Sequence, residues 1–327
     1  MGNRISPKVS VIIPVYKAEK YIERCCTSLF EQTLQNMEFI FVDDCSPDNS
    51  IAILHQILAR YPHRESQTKI LTHTLNRGVS YSRQQGLEAA TGEFVIHCDS
   101  DDWVDIDMYQ RMYDTAIHEG ADVVCCGFII EFSDCRKQSV TVDEKKMCSK
   151  ISFNLAPQTG SLCTKIVRLQ NLRDANVRFP MDSNWGEDFC VSIAGLLLSR
   201  KTVCMQDCFY HYFQNVDSIT HTISRERCMQ LVRVSYHVDE FLRQIGKKEE
   251  YKHELNYLKF QCKSRFLRDQ SIRDIDLWRQ TFPECHEEIM SYSVARYFKI
   301  ASWLVAHHMT WLAIPILKIR DTKNKNP

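Results

Sequence analysis

Four aspartates stand directly after two segments that have the apolar, β-branched composition of buried strands: Asp43, Asp44, Asp99 and Asp101. Carboxylates gathered at one crevice repel one another, and burial raises that cost unless a cation lies between them. Aspartates that share a site with substrate phosphates are usual ligands of Mg²⁺ or Mn²⁺. The pattern therefore favours a metal site that neutralises a diphosphate, and departure of that diphosphate from a sugar is a natural reaction for it.

Basic residues stand near the same points of the sequence. Arg77 and Arg83 follow the third strand-like segment and are candidates to share the charge of a diphosphate. Asp43 is placed to accept hydrogen bonds from a nucleobase or a ribose. A local interpretation also stands, in which Asp48 and Asp102 cap the helices that follow them.

The elements that must position these residues alternate between two periods. Residues 9–13 form a β-branched run, and apolar residues at helical spacing follow between positions 18 and 32. The alternation continues with strands predicted at 39–42, 69–72, 93–98 and 122–128, and with helices at 50–58, 80–90 and 105–118. This order predicts an α/β fold whose sheet is mostly parallel and flanked by helices. Ligands of such sheets bind beyond the carboxyl ends of the strands, which is where the aspartates fall.

The composition excludes several classes of protein. The 327 residues include 41 basic and 41 acidic side chains, so bulk charge does not favour nucleic acid as a partner. A dinucleotide-dependent oxidoreductase is disfavoured, because Pro14-Val15-Tyr16-Lys17 stands where its glycine fingerprint would be. The 15 cysteines are an odd number, contain no C-x-x-C and follow no signal peptide, which together predict a cytoplasmic location.

Five motifs in order resemble those of family 2 glycosyltransferases, which have the GT-A fold. They are the segment 9–16 ending in Pro14-Val15-Tyr16, the segment 41–48 with Asp43-Asp44, the segment 76–93 with Asn76-Arg77-Gly78, Asp99-Ser100-Asp101-Asp102, and Trp185-Gly186-Glu187-Asp188. The segment from Tyr210 to Thr220 resembles the end of the catalytic domain. The resemblance covers roughly residues 8–220 and is specific for the family, though not for the sugar.

The resemblance implies roles for individual residues. Those expected to bind the nucleotide-sugar are Pro14, Tyr16, Asp43, Asp44, Asn76, Arg77, Arg83 and Asp99. Asp101 would be the main ligand of Mn²⁺ or Mg²⁺, with Asp99 beside it. Asp188 would be the catalytic base, positioned by Glu187. For this pair alone, the local alternative is an acidic start to the helix at 189–198.

The implied reaction is transfer of a sugar from a nucleotide-diphosphate donor, expected to be a UDP-sugar, to an acceptor hydroxyl with inversion. The expected acceptor is lipid-linked or a growing polysaccharide. The alternatives are a metal-dependent phosphohydrolase and a non-catalytic sugar-binding or assembly protein on the same scaffold. The sequence departs from the family pattern at two points: Lys17 replaces a frequent Asn, and Phe213 replaces a frequent Arg.

Beyond about residue 222 the pattern changes to long helices. We expect a catalytic domain at 1–221, with a nucleotide-sugar half at 1–130 and an acceptor half at 131–221, followed by a helical region at 222–327. A polar stretch at 133–150 is predicted to be a loop on the acceptor side. The apolar stretch at 300–317 is flanked by basic residues and predicts either an interfacial helix on the cytoplasmic face of a membrane or a helix packed on the catalytic domain.

Overall fold

The computed structural model describes residues 6–145, 147, 151–155, 157–214 and 224–323. The chain divides into two compact units. The first comprises Met1–Ser152 with Ala156–His221, and the second comprises Phe153–Leu155 with Thr222–Pro327.

The first unit is built on a mixed sheet that contains nine strands within the described residues. In chain order these are β1 Val9–Val15, β2 Met37–Asp43, β3 Thr68–Thr72, β4 Phe94–His97, β5 Trp103–Val104, β6 Val123–Phe132, β7 Lys137–Val140, β8 Lys165–Arg168 and β9 Thr202–Gln214. Across the sheet the order is β3-β2-β1-β4-β8-β6-β9-β5, and β7 pairs with β6. The centre of the sheet is apolar, since every residue of β2 and all but one of β1 are buried.

Helices connect these strands and cover the sheet. They are α1 Ile22–Phe30, α2 Ser50–Leu58, α3 Pro62–Glu65, α4 Val79–Ala89, α5 Met108–Glu119, α6 Pro157–Gly160, α7 Leu169–Asp174 and α8 Glu187–Leu198. The apolar residues of α1 recur at helical spacing, and this places Ile22, Cys25, Cys26, Leu29 and Phe30 in the core. Two neighbouring thiols therefore serve as small hydrophobic side chains.

The parallel part of the sheet brings several strand ends to one edge. β1 pairs in parallel with β2 and with β4, and β2 pairs in parallel with β3. In register, Val15 lies opposite Asp43, and Ile12 lies opposite His97. The loops that follow β1, β2 and β4 therefore begin at the same edge, as the sequence predicts for a ligand-binding crevice.

The predicted α/β fold with a helical C-terminal region is confirmed, and the second half of the sheet adds antiparallel pairs. β8 lies between β4 and β6 and is antiparallel to both, so the strand predicted at 122–128 is one position further from β4. The polar stretch predicted as a loop contains β7, which pairs antiparallel with β6. Cys135, with a φ of 66°, lies in the tight turn that joins them. The periodicity of apolar residues does not predict where a later strand such as β8 joins the sheet, nor does it predict an exposed strand such as β7.

The second unit is helical. Its helices are α9 Arg225–Gln244, α10 Lys252–Arg268, α11 Ile275–Gln280, α12 Arg296–Ala306 and α13 Thr310–Lys323. Ser224 begins α9 by accepting the N–H of Arg227 on its side chain. The core of this unit is aromatic: the rings of Phe260 and Tyr292 lie 4.9 Å apart, and Trp278 is fully buried.

The apolar stretch at 300–317 does not form one continuous helix. α12 ends at Ala306 and α13 begins at Thr310, with His308 at a φ of 62° between them. A break of this kind is expected where His307 and His308 interrupt an apolar run. Among the described residues, no helix has the length and apolar character needed to cross a membrane.

Candidate active site

The loops after β1 and β2 are tied together at the sheet edge. Lys17, whose φ of 53° is in the left-handed region, donates its backbone N–H to Ser46 Oγ over 2.8 Å. Ser46 donates its own N–H to Asp43 Oδ1 over 2.8 Å. Asp43 is 5% exposed, and its Oδ2 accepts no hydrogen bond from the part of the chain that the structure describes. One oxygen of Asp43 thus remains available to a ligand.

An aromatic ring stands beside this carboxylate. Tyr16 follows β1 and is 44% exposed, and Lys17 Nζ lies 5.2 Å from the centre of its ring. Pro14 lies opposite Val42 of β2 in the register and is partly buried. The predicted nucleotide-binding residues Pro14, Tyr16 and Asp43 therefore lie at neighbouring strand ends. The departure at Lys17 places an ammonium group beside the ring of Tyr16.

Asp44 holds the turn that follows β3. Its Oδ1 accepts the N–H of Arg77 over 2.8 Å and lies 2.9 Å from His73 Nδ1, while its Oδ2 accepts the N–H of Gly78 over 2.8 Å. Asn76 Nδ2 donates to the backbone carbonyl of Asp44 over 3.3 Å. Because both carboxylate oxygens bind this turn, Asp44 positions residues 73–78.

Gly78 brings this turn against the segment that precedes α8. Its φ is 89°, and a Cβ at this position would lie 2.4 Å from Asn184 Oδ1. The same oxygen accepts the N–H of Ser80 over 3.2 Å, and Ser80 Oγ donates to the backbone carbonyl of Pro180. Only glycine fits here, because both the backbone angle and the close approach exclude a side chain.

The two predicted arginines have different surroundings. Arg77 is exposed, and its guanidinium lies 3.5 Å from the ring centre of Tyr81. It has no carboxylate partner within the described residues, so its charge is available to a phosphate. Arg83 is 6% exposed and bonds to two carboxylates: its Nη2 donates to Asp99 Oδ1 over 2.7 Å and its Nη1 to Glu187 Oε1 over 2.5 Å.

Arg83 therefore joins two motifs that are far apart in the sequence. Asp99 follows β4, Glu187 begins α8, and the arginine between them belongs to α4. Burial lowers the pKa of Arg83, but the carboxylates of Asp99 and Glu187 outweigh it and hold the pKa well above its ordinary value. Arg83 remains a permanent cation whose position fixes the distance between the two acids.

The acidic loop after β4 contains two kinds of aspartate. Asp102 is 1% exposed; its Oδ1 accepts the N–H of Phe213 over 2.7 Å, and its Oδ2 accepts the hydroxyl of Tyr210. The carboxylate of Asp101 accepts no hydrogen bond from another side chain among the described residues. Burial, with the negative charge of Asp99, raises the pKa of Asp101 to about 6. Asp102 bonds the loop to β9, whereas the charges of Arg24 and Arg83 offset the raised pKa of Asp101 only in part.

The local interpretation of the acidic residues holds in part for Asp48, which bonds to the first turn of α2 although Asn49 is the N-cap. Asp48 Oδ1 accepts the N–H of Ser50, the first residue of α2, over 3.1 Å. Asp102 does not cap α5, whose N-terminal residue is preceded by Asp107. Asp102 instead accepts the hydroxyl of Tyr210 in β9. No local feature of the sequence predicts this long-range contact.

Two adjacent acids begin α8. Gly186, at a φ of 81°, turns the chain into the helix, and Asp188 Oδ1 accepts the N–H of Phe189 over 2.9 Å. Glu187 is 4% exposed, whereas Asp188 is only partly buried. Burial raises the pKa of Glu187 to about 7 and also raises the pKa of Asp188, while Arg83 opposes both shifts. Asp188 is the more accessible acid of the pair, and its raised pKa suits a proton acceptor.

Lys165 belongs to the same region and was not identified from the sequence. It lies in β8, is 1% exposed and donates Nζ to the backbone carbonyl of Ser161 over 2.7 Å. Its charge helps to lower the pKa of Asp188, and burial lowers its own pKa. The available signal was a lysine in the strand-like run Lys165-Ile166-Val167, since lysine is rarely buried.

The departure at Phe213 is accompanied by a cation from another element. The guanidinium of Arg24, in α1, lies 3.5 Å from the ring centre of Trp103 and 4.8 Å from that of Phe213. Arg24 Nη2 also donates to the backbone carbonyl of Asp101 over 3.0 Å. The residue after Tyr212 is thus a phenylalanine rather than an arginine, and its ring packs against Arg24. The predicted motif residues 218–220 lie outside the described residues.

The chemistry of the donor set fits a hard divalent cation only in part. Asp99 and Asp101 offer carboxylate oxygens after β4, and burial together with the charge of Asp99 raises the pKa of Asp101, as expected where acids are close together. In the described part of the chain, no group of three or more His, Cys, Asp and Glu side chains could hold a metal ion. Of the four aspartates at this edge, Asp44 binds the turn at 73–78, and Asp99 and Asp101 remain the predicted metal ligands.

Comparison with known proteins places the chain among glycosyltransferases. Residues 10–166 match the model of the family Glycosyl transferase family 2. The chain is 30% identical over 260 residues to the "Putative glycosyltransferase EpsH" of Bacillus subtilis, a match that covers 77% of this chain and 74% of EpsH. It is 29% identical to the uncharacterized glycosyltransferase EpsJ of the same organism, over 65% of this chain and 63% of EpsJ.

Solved structures show the same fold at low identity. TarS 1–349 of S. aureus, in complex with UDP-GlcNAc, has a TM-score of 0.60 and 20% identity, with 92% of this chain and 90% of that chain covered. The mannosyltransferase PcManGT of Pyrobaculum calidifontis, in complex with GDP-Man and Mn²⁺, has a TM-score of 0.52 and 15% identity, with 99% of this chain and 88% of that chain covered.

Proposed function

The chain belongs to glycosyl transferase family 2, with the GT-A fold, and from this premise we propose that it transfers a sugar from a nucleotide-diphosphate donor to an acceptor hydroxyl with inversion. The observation that carries the proposal is the bridge through Arg83. It joins Asp99, on the side of the donor motifs, to Glu187, beside the expected base. A donor site and a base are thereby held in one crevice.

The nucleotide is assigned to the edge formed by β1, β2 and the turn at 73–78. The exposed ring of Tyr16 offers a face for stacking on a base, and the free oxygen of Asp43 accepts hydrogen bonds from the base or ribose. Arg77 provides a cation for the diphosphate. A UDP-sugar is the proposed donor, and the complex of TarS with UDP-GlcNAc supports it by likeness of fold.

Asp101 and Asp99 would hold Mn²⁺ or Mg²⁺, with the remaining ligands supplied by the donor and by water. Two carboxylates with substrate phosphates are a usual set for these ions. When bound, the ion supplies neutralisation of the diphosphate charge. PcManGT, which has the same fold, was solved with Mn²⁺, so the proposed use of a divalent ion agrees with one neighbour.

The chemical step is assigned to Asp188. Its carboxylate accepts the proton of the acceptor hydroxyl, and the acceptor oxygen bonds to the anomeric carbon. The bond from that carbon to the diphosphate oxygen breaks, and the nucleoside diphosphate leaves with the electron pair. Glu187, held by Arg83, orients the start of α8 and so the base. Attack opposite to the leaving group inverts the anomeric centre.

The acceptor is proposed to be a lipid-linked sugar or a growing polysaccharide, in agreement with relatives such as the poly(ribitol-phosphate) β-N-acetylglucosaminyltransferase TarS. The proposed location is the cytoplasm, with peripheral contact to the cytoplasmic face of the membrane. All 14 cysteines that the structure describes are free thiols, which suits a reducing compartment.

Release of nucleoside diphosphate from UDP- and GDP-sugars, with Mn²⁺ and with or without acceptor, tests the proposal. We expect turnover that depends on acceptor, and a product whose anomeric configuration by NMR is opposite to that of the donor. Asp188→Asn should bind donor with unchanged affinity and lose turnover. Cleavage at the same rate without acceptor would instead indicate a phosphohydrolase, and donor binding without turnover on any acceptor would indicate a sugar-binding protein.

A further inference from the structure

The last two helices expose large apolar side chains on defined stripes. On α12 the exposed residues are Arg296, Ile300 and Trp303, whose spacing places them on one face, and the exposed His307 follows the last residue of the helix. On α13, exposed residues begin with Trp311 and Leu312 and recur at Pro315 and Lys318. We name the four large apolar residues Ile300, Trp303, Trp311 and Leu312 the C-terminal apolar surface; they are 38%, 38%, 72% and 38% exposed.

This surface is not needed to hold the helices in place. The opposite faces of α12 and α13 bury Phe298, Ala301, Val305, Ala313 and Leu317 within the second unit. Arg279 also bonds to this region, donating to the backbone carbonyl of Val305 over 3.2 Å and to Thr310 Oγ1 over 3.1 Å. The inner faces of the helices are thus packed within the second unit, whereas the outer apolar residues lie at the surface, where the ring of Trp303 stacks on that of His307 at 4.1 Å between centres.

The sequence segment that carries the surface is basic. No Asp or Glu occurs from residue 290 to residue 320, while Arg296, Lys299 and Lys318 lie within that segment. Lys299 Nζ donates to the backbone carbonyl of Met290 over 3.1 Å and keeps further N–H groups for an anion. The whole chain has no net charge, so this basic segment is a local feature.

Exposed tryptophans beside basic residues match the chemistry of a bilayer interface. Indole rings favour the headgroup region, and Lys and Arg bind anionic headgroups while their stems lie along apolar surface. α12 and α13 are short, and the break at His308 lets two helices lie in the plane of an interface.

We propose that the C-terminal apolar surface and its flanking basic residues dock the protein on an anionic lipid bilayer. This inference rests only on the membrane contact in the proposed function. It names the residues that make the contact and the class of lipid that they bind. Trp303 and Trp311 enter the headgroup region, and Arg296, Lys299 and Lys318 bind lipid phosphates. Docking does not use the charged residues that are assigned to the donor site.

Co-sedimentation of the full chain with phosphatidylcholine vesicles, with and without phosphatidylglycerol, tests the dock in the absence of donor. We expect binding only to the anionic vesicles, weakened by added salt. The double variant Trp303→Ser/Trp311→Ser should bind about tenfold more weakly, as should Arg296→Gln/Lys299→Gln. Ile300→Ser should weaken binding, whereas Ile117→Ser, an exposed isoleucine of α5, should not.

Three results would overturn the dock: equal binding to neutral vesicles, no binding to either, or unchanged binding by the tryptophan double variant. A second copy of the chain is the competing occupant. Light scattering that shows a dimer converted to a monomer by Trp303→Ser/Trp311→Ser, with no vesicle binding, would assign the surface to it. Donor turnover with a soluble acceptor is measured on the same variants and should be unchanged, so failure of the dock and failure of the glycosyltransferase proposal are separate results.

Discussion

Arg83 and Glu187 form an ion pair of 2.5 Å although 104 positions separate them in the sequence. The guanidinium comes from α4, in the nucleotide half, and the carboxylate begins α8. Its other terminal nitrogen binds Asp99, so one side chain sets the spacing of two acids. From the sequence, Arg83 is predicted to bind the diphosphate. In the structure, its contacts make it the residue that positions Asp99 and Glu187.

Substitution of Arg83 should therefore affect both stability and turnover. Arg83→Gln leaves the buried carboxylate of Glu187 and the partly exposed carboxylate of Asp99 without their cation, which should lower the free energy of unfolding by about 3 kcal/mol. Misplacement of α8 should lower kcat by about 100-fold. Arg83→Lys should recover part of the stability, because a lysine reaches only one carboxylate.

The matched control is Arg178→Gln, which breaks the exposed pair with Glu88. We expect a loss of stability of no more than about 0.5 kcal/mol, because exposed pairs contribute little. Chemical denaturation and steady-state turnover measure both effects. Equal stability losses at the two arginines would contradict the positioning role of Arg83.

Asp101 and Asp102 are adjacent but should respond oppositely to substitution. Asp101→Asn removes a proposed metal ligand that holds no other side chain, so activity with Mn²⁺ should fall by about 100-fold while the melting temperature stays or rises. Asp102→Ala leaves the Tyr210 hydroxyl and the Phe213 N–H without a partner and should cost about 2 kcal/mol of stability. Activity of Asp101→Asn that still depends fully on Mn²⁺ would remove Asp101 from the metal site.

Lys165 should set the acid limb of the pH–rate profile. Its charge lowers the pKa of Asp188, so Lys165→Met should raise that pKa and move the limb of kcat/KM to higher pH. Lys201→Met, which removes an exposed lysine paired with Glu119, is the control and should leave the profile unchanged. A Lys165→Met profile that superimposes on the wild-type one would show that Lys165 has a structural role only.

Glu187 should make stability depend on pH. Its pKa of about 7 in the folded chain exceeds the ordinary value of 4.5, so the folded state keeps a proton that the unfolded state has lost. The free energy of unfolding should therefore decrease as pH rises between these two values and level off above the higher one. Denaturation of wild type and Glu187→Gln at several pH values measures this; the variant should have the shallower slope. Parallel slopes would show that Glu187 does not titrate in this range.

Alanine substitutions at Gly78 and Gly246 should separate the cost of backbone strain from the cost of a close contact. Both have positive φ, of 89° and 70°, but only Gly78 faces an atom, Asn184 Oδ1, at contact distance. Gly246→Ala should cost about 1 kcal/mol, and Gly78→Ala about 2 kcal/mol with a raised KM for donor, because the turn bearing Arg77 moves. Rescue of donor KM by adding Asn184→Gly to Gly78→Ala would confirm the contact. Equal effects of the two alanine variants would contradict it.

The sequence was sufficient for the parts of the fold that depend on local pattern. Strand β1, helix α2 and the acids after β2 and β4 are readable, because periodicity and strand ends locate them. The position of β8 between β4 and β6 was not readable, since it depends on which sheet edge is free when the chain returns. Contacts such as Asp102 with Tyr210 were missed for the same reason: each residue is ordinary alone, and only the fold brings the pair together.

The contacts of Asp44 determine which positions of the turn at 73–78 can change among related proteins. Its carboxylate binds main-chain N–H groups of Arg77 and Gly78, and every residue except proline offers such a group. A shape held in this way tolerates exchange of the exposed side chains at Thr74 and Leu75, because neither supplies the contact. Mutations can therefore accumulate at the rim of the nucleotide edge without loss of its geometry, provided that one aspartate and one glycine persist.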